Sequence, residues 1–209
     1  MRHWNSNHWI WLLLAGCVLT FAGCSKQKIP TVEKLSLRDP RLSLDARRWL
    51  ADAEDEVVIA LAGLEMAEAR VNRVETYKDM IGDEKVFLPG PGNKGNVSQL
   101  EDSLDTYVEA QLMLEEAQLV AAKIGLELAR ARLTQVRAET AIRFDLAVYP
   151  MAPIVEQVET LKKELGAASS GLEDLRVKVE TQAAQLWKNY ANFVKQGGVT
   201  RNFWKVRSL

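Results

Sequence analysis

The chain has 209 residues, 47% of them hydrophobic and 26% charged, with a formal net charge of −1. That composition excludes a disordered polar chain and gives no general electrostatic pull toward nucleic acid. Both histidines, His3 and His8, and both cysteines, Cys17 and Cys24, lie near the start. Removal of the first apolar run leaves no disulfide framework, zinc site, Cys–His pair or Ser–His triad. No cofactor or metal is expected.

Residues 1–23 have the three parts of a secretory signal. Arg2 supplies the basic start, and Trp9 to Leu19 forms an uncharged core. That core is about half of what a ~30 Å hydrocarbon layer requires. The run Phe21-Ala22-Gly23-Cys24 then resembles the lipobox of bacterial lipoproteins. The resemblance implies cleavage before Cys24, acylation of that cysteine, and attachment to a membrane. Leu14-Ala15-Gly16-Cys17 is a nominally better match, so Cys17 is the alternative. Cleavage there would leave a very short apolar core and put Val18-Leu19-Thr20-Phe21 where a polar tether is usual. An uncleaved signal anchor and simple secretion with cleavage elsewhere are the other readings. Several acyl chains would hold the protein firmly without a spanning helix. Ser25 after the cysteine resembles the sorting pattern for the outer membrane, facing the periplasm.

Residues 24–43 read as a tether, interrupted by Pro30 and Pro40 and carrying Lys26, Lys28, Lys34, Arg38 and Arg41. A solvated spacer is the plain expectation, and contact with anionic headgroups the sharper one. A first helix is predicted over 44–81, with Ser43 as N-cap. Leu50, Ala53, Val57, Ala60, Leu64, Ala67, Val71, Val74 and Ile81 recur at heptad spacing, with Lys78 as the one break. Gly82 is the expected C-terminal stop.

The stretch 82–97 is expected to be a loop, because Leu88 to Asn96 is rich in Gly and Pro. Its glycines and Lys94 do not fit the phosphate-loop spacing. A second helix is predicted over 98–148, opened by the capping box Ser98-Gln99-Leu100-Glu101. One stripe runs Tyr107, Ala110, Leu114, Ala117, Ala121, Ile124, Leu128, Ala131, Ala138, Ile142. Another runs Leu104, Val108, Leu112, Leu119, Ala122, Leu126, Ala129, Leu133, Val136. Two stripes are too wide for one partner, so this helix is expected to sit between two others.

Pro150 and Pro153 mark a reversal, and a third helix is predicted over 154–195. Its four-three stripe from Ile154 to Phe193 stays in phase across Gly166 to Gly171, which argues for one helix with a weak point. Gln182 and Asn189 are polar positions on that stripe, as a register-setting pair in an oligomer would be. The fold class is therefore all-α, an elongated antiparallel three-helix coiled-coil bundle over 44–196. A basic aromatic tail follows at 197–209.

Near the C-terminus, Trp187, Tyr190, Arg201, Phe203, Trp204 and Lys205 form the candidate partner-binding set, because aromatic and basic residues interleave there without an acid. The plainer alternative is that Trp187, Tyr190 and Phe193 cap the bundle. Four acids within Asp52 to Glu56 wrap around a helix and read as a solvated face, so no catalytic residue is assigned. The Ala/Leu/Glu/Arg-rich stretch from Glu109 to Leu133 resembles the α-hairpins of periplasmic efflux adaptors and outer-membrane efflux ducts. Two functions follow as expectations, with an envelope enzyme using carboxylates or lysine as a third reading. The first is a non-enzymatic structural or protein-interaction lipoprotein, with a protein partner or second copy on a helical face and no nucleic acid. The second is an accessory subunit of an export or efflux assembly that docks through hairpin tips.

Overall fold

The computed structural model describes residues 30–89, 96–201 and 203, and these are helical with no strand among them. The helices are α1 (Leu44–Phe87), α2 (Val97–Arg143), α3 (Met151–Ser170) and α4 (Leu172–Lys195). Two units divide the chain, Met1–Thr31 and Val32–Leu209, and every helix belongs to the second.

α1 opens where its sequence asks: the Ala46 N–H donates to Ser43 Oγ at 3.2 Å, with Asp45 in the first turn. It does not stop at Gly82. A Cβ at Gly82 would meet open space, and the helix continues to Phe87. The extra turn buries Glu84 and carries Leu88, with no exposed surface, into the core. The Leu88 N–H donates to the Glu84 carbonyl at 2.9 Å and closes the end. Burial of Leu88 outweighs the option of a left-handed glycine stop.

α2 starts one residue earlier than expected. Its N-cap is Asn96, whose side chain accepts from the Gln99 N–H at 3.2 Å, so Ser98 lies inside the first turn. The helix ends at Arg143 and not at Val148. Asp145 takes φ +52, the Leu146 N–H reaches the Ala141 carbonyl at 2.8 Å, and the Asp145 N–H reaches Ile142 at 3.2 Å. Paired bonds of this kind around a left-handed residue satisfy the last carbonyls, and Asp tolerates that conformation better than most. Leu146 and Phe144 are thereby turned onto Leu42, Ala46 and Leu50.

The third predicted helix is two. α3 begins at Met151, so Pro153 sits in the first turn, where its missing N–H costs nothing. Gly171, at φ −85 and ψ −8, separates α3 from α4. Ser170 caps nothing; its hydroxyl donates back to the Ala167 carbonyl at 2.8 Å.

α2 packs against α1, against α3 and against α4. No Cα of α1 comes within 8 Å of any Cα of α3 or α4. Cross-links between α1 and α2 run Glu54–Arg137 at 2.8 Å, Arg70–Gln118 at 3.0 Å and Lys85–Asp105 at 2.5 Å. The partner's number falls as the helix's own number rises. Toward α3 and α4, Leu128 and Ala131 pack with Val158 and Leu161, and Asn189 Nδ2 donates to the Gln99 carbonyl at 3.3 Å.

The expected tether is shorter than 24–43. Leu42 is buried, and Leu35 packs with it against the start of α1 and the end of α2. A turn holds this stretch: the Asp39 N–H donates to the Ser36 carbonyl at 2.9 Å, and Arg47 reaches the Asp39 carbonyl at 3.0 Å. The Arg41 guanidinium, hydrogen-bonded to Asp39 at 2.7 Å, holds that carboxyl down to about 2. Two leucines tie the segment to the helices, because the surface beside Val136 and Phe144 is apolar, while Lys34, Leu37, Arg38 and Arg41 stay exposed.

Candidate functional site

The aromatic residues picked out near the C-terminus come together where α1 ends, α2 begins and α4 ends. Trp187, Tyr190 and Phe193 fall on α4 at steps of three, which aligns them on one helix face. Gly197, at φ +83, then reverses the chain. The Gly198 N–H reaches the Phe193 carbonyl at 2.9 Å, and the Gly197 N–H reaches Val194 at 3.0 Å. An ideal Cβ on Gly198 would lie 2.4 Å from the Phe193 ring, so only glycine fits against it.

That reversal delivers Phe203 into the cluster. Its ring stacks on Tyr190 at a centroid distance of 4.0 Å and meets Trp187 edge-on at 5.5 Å. Trp187 and Tyr190 themselves meet edge-on at 6.0 Å. The two edge-on contacts are favourable ring geometries, each adding about 0.5–1.5 kcal/mol beyond area burial. Phe203 is 1% exposed and Phe193 is 1% exposed, so both are core residues. Phe203 therefore offers a partner no surface; it packs with Leu186, Leu88 and Leu100.

Several polar groups at this end are bound within the fold. The Arg201 N–H donates to Glu84 Oε1 at 2.7 Å, and Glu84 is buried. The Asn96 N–H donates to Gln196 Oε1 at 2.9 Å, joining the start of α2 to the end of α4. Asn189, read as a register-setting residue in an oligomer, binds Gln185 at 2.9 Å and the Gln99 backbone inside one chain. Of the proposed partner-binding set, Trp187, Tyr190 and Phe203 are gathered together and Arg201 is exposed beside them. Trp204 and Lys205 lie outside the described residues, as do Cys17, Cys24 and Lys94.

Sequence reasoning passed over Gln111 and Glu115 on α2, each 8% exposed. Gln111 Nε2 donates to Glu115 Oε1 at 3.0 Å, and Glu115 Oε2 is buried without a hydrogen-bond partner. The signal was present in the spacing. Leu104, Val108, Gln111 and Glu115 keep alternating steps of four and three, whereas Leu112, assigned to that stripe, is only partly buried. Two polar side chains on core positions hid the phase.

Elsewhere, α1 turns an apolar stripe away from α2: Val58 is 64% exposed, Ile59 71% and Met66 58%. Among the described residues no group of three or more His, Cys, Asp or Glu is placed to hold a metal ion. No helix among them is long and apolar enough to cross a membrane. Searches against family models, curated proteins and solved structures found no match to this chain.

Proposed function

We propose that this chain is an exported lipoprotein of the bacterial cell envelope, acylated at Cys24. In this reading it is a non-enzymatic rod in the periplasm, held at the outer membrane and serving structure or protein interaction. The observation that carries the reading is Phe21-Ala22-Gly23-Cys24, after an uncharged apolar core and before the polar run Ser25-Lys26-Gln27-Lys28. That order of apolar, small and polar residues is what the lipobox resemblance implies for cleavage before an acylated cysteine.

The rod belongs to the same proposal. The falling partner numbers between α1 and α2, and between α2 and the α3–α4 pair, support an antiparallel three-helix arrangement. The solvent-facing stripe of Val58, Ile59 and Met66 supports a partner helix on α1, since exposed large apolar residues in a row lower their free energy by being covered. The same stripe supports the second reading, an accessory subunit of an export or efflux assembly.

The anchor is tested by the mass of the mature protein extracted from membranes. Acyl chains on an N-terminal Cys24 are expected in the natural chain, and Cys24→Ser should abolish both cleavage and acylation while Cys17→Ser leaves them intact. Acylation at Cys17, or an intact signal on the natural chain, would sink the assignment.

A further inference from the structure

The end of the helical unit nearest Cys24 in sequence combines exposed apolar residues with basic ones. Leu44 is 75% exposed and Val148 93%, and Trp49 is 45% exposed with the Arg143 guanidinium 5.1 Å above its ring. They sit at one end because Leu35, Leu42 and Leu50 pack with Phe144 and Leu146, and the Glu33 N–H donates to Tyr149 Oη at 3.3 Å. Beside them a cleft of about 350 Å³ is lined by residues 34–38 and Glu54, with Lys34 and Arg38 as its cations. The Glu54 carboxylate is engaged by Arg137 at 2.8 Å.

Charge is distributed unevenly along the chain. Ser25 to Leu50 contains seven basic residues (Lys26, Lys28, Lys34, Arg38, Arg41, Arg47, Arg48) and three acidic ones (Glu33, Asp39, Asp45), a surplus of four positive charges in a chain of net −1. Because Val32 already belongs to the helical unit, only seven residues, Ser25 to Thr31, and so eight Cα-to-Cα steps, separate it from the cysteine. Fully extended, they span at most about 29 Å. A lipid-anchored Cys24 would thus hold this end within reach of the headgroups.

We infer that this end docks on an anionic lipid surface, with Trp49 and Leu44 entering the interfacial layer and Lys34, Arg38 and Arg48 facing the headgroups. The inference rests on the acylated-Cys24 reading and deepens it: the anchor would be one of two contacts with the same membrane. Trp is suited to that depth because its ring is amphipathic, and basic residues gain attraction near anionic lipid. Asp39, the nearest acid in the turn, is neutralised by Arg41 at 2.7 Å.

The test uses the full chain purified from membranes and reconstituted into vesicles with brominated acyl chains. One set contains phosphatidylglycerol, and the other is phosphatidylcholine alone. The emission that Trp49→Phe removes should be quenched in phosphatidylglycerol vesicles and largely retained in phosphatidylcholine. The variant Lys34→Gln/Arg38→Gln/Arg48→Gln, which alters only exposed side chains, should lose that quenching. Unquenched Trp49 in a preparation whose mass shows acylated Cys24 overturns the docking and leaves the lipoprotein reading standing. Equal quenching in both vesicles, or in the triple variant, overturns the anionic headgroup contact. A mass without acyl chains overturns the anchor and, with it, this inference.

Discussion

Gly198 shows how one missing Cβ shapes the C-terminal end. The chain must double back over Phe193 to bring Phe203 to Tyr190, and the Phe193 ring occupies the space a side chain would need. Gly198→Ala is therefore expected to cost about 1–3 kcal/mol, the usual range for overpacking a filled core. Denaturant unfolding measures it, and an unchanged midpoint would show that Phe193 can yield. The glycine's contact with Phe193 was not legible in the sequence, because close approach depends on where the ring packs. Glu84 makes the same point from the polar side. It reads as one more surface acid, yet it is buried and takes the Arg201 N–H.

At the scale of elements, helix type was legible and several ends were not. Apolar residues at three- and four-residue steps favour a helix, because they gather on one face that packing can bury. Ends depend on what the last turn can bury. Gly82 was free to stop α1, and Leu88 extended it; Asp145 stopped α2 five residues before Val148 because Leu146 and Phe144 had a core to enter. The weak point in the third predicted helix became a real interruption at Gly171. A Cβ there meets no atom within 4 Å, and φ is −85, so alanine fits without strain. Gly171→Ala should stabilise the protein by about 0.4–1 kcal/mol by reducing the freedom of the unfolded chain. A higher melting temperature, with slower amide exchange around residues 169–173, is the expected record. A fall in stability would mean that the interruption is required by packing on α2.

For the molecule as a whole, α2 is the shared element. Leu104 has no exposed surface and lies in one cluster with Val74 and Ile81 of α1 and Leu186 and Phe193 of α4. Leu104→Ala should cost about 2–5 kcal/mol and lower amide protection in both α1 and α4. Leu161→Ala, whose cluster joins only α2 and α3, should lower it in α3 with little effect on α1. Loss of protection confined to one seam after Leu104→Ala would count against a central role for α2. The sequence by itself determined the helical class and the central place of the second helix, since periodicity is a local property. Only the tertiary structure decided that Val32–Ser43 folds onto the helices, that Phe203 belongs to the core, and that α1 stays more than 8 Å, Cα to Cα, from α3 and α4. Those outcomes depend on which apolar surfaces find each other across long separations, and no local pattern records that choice.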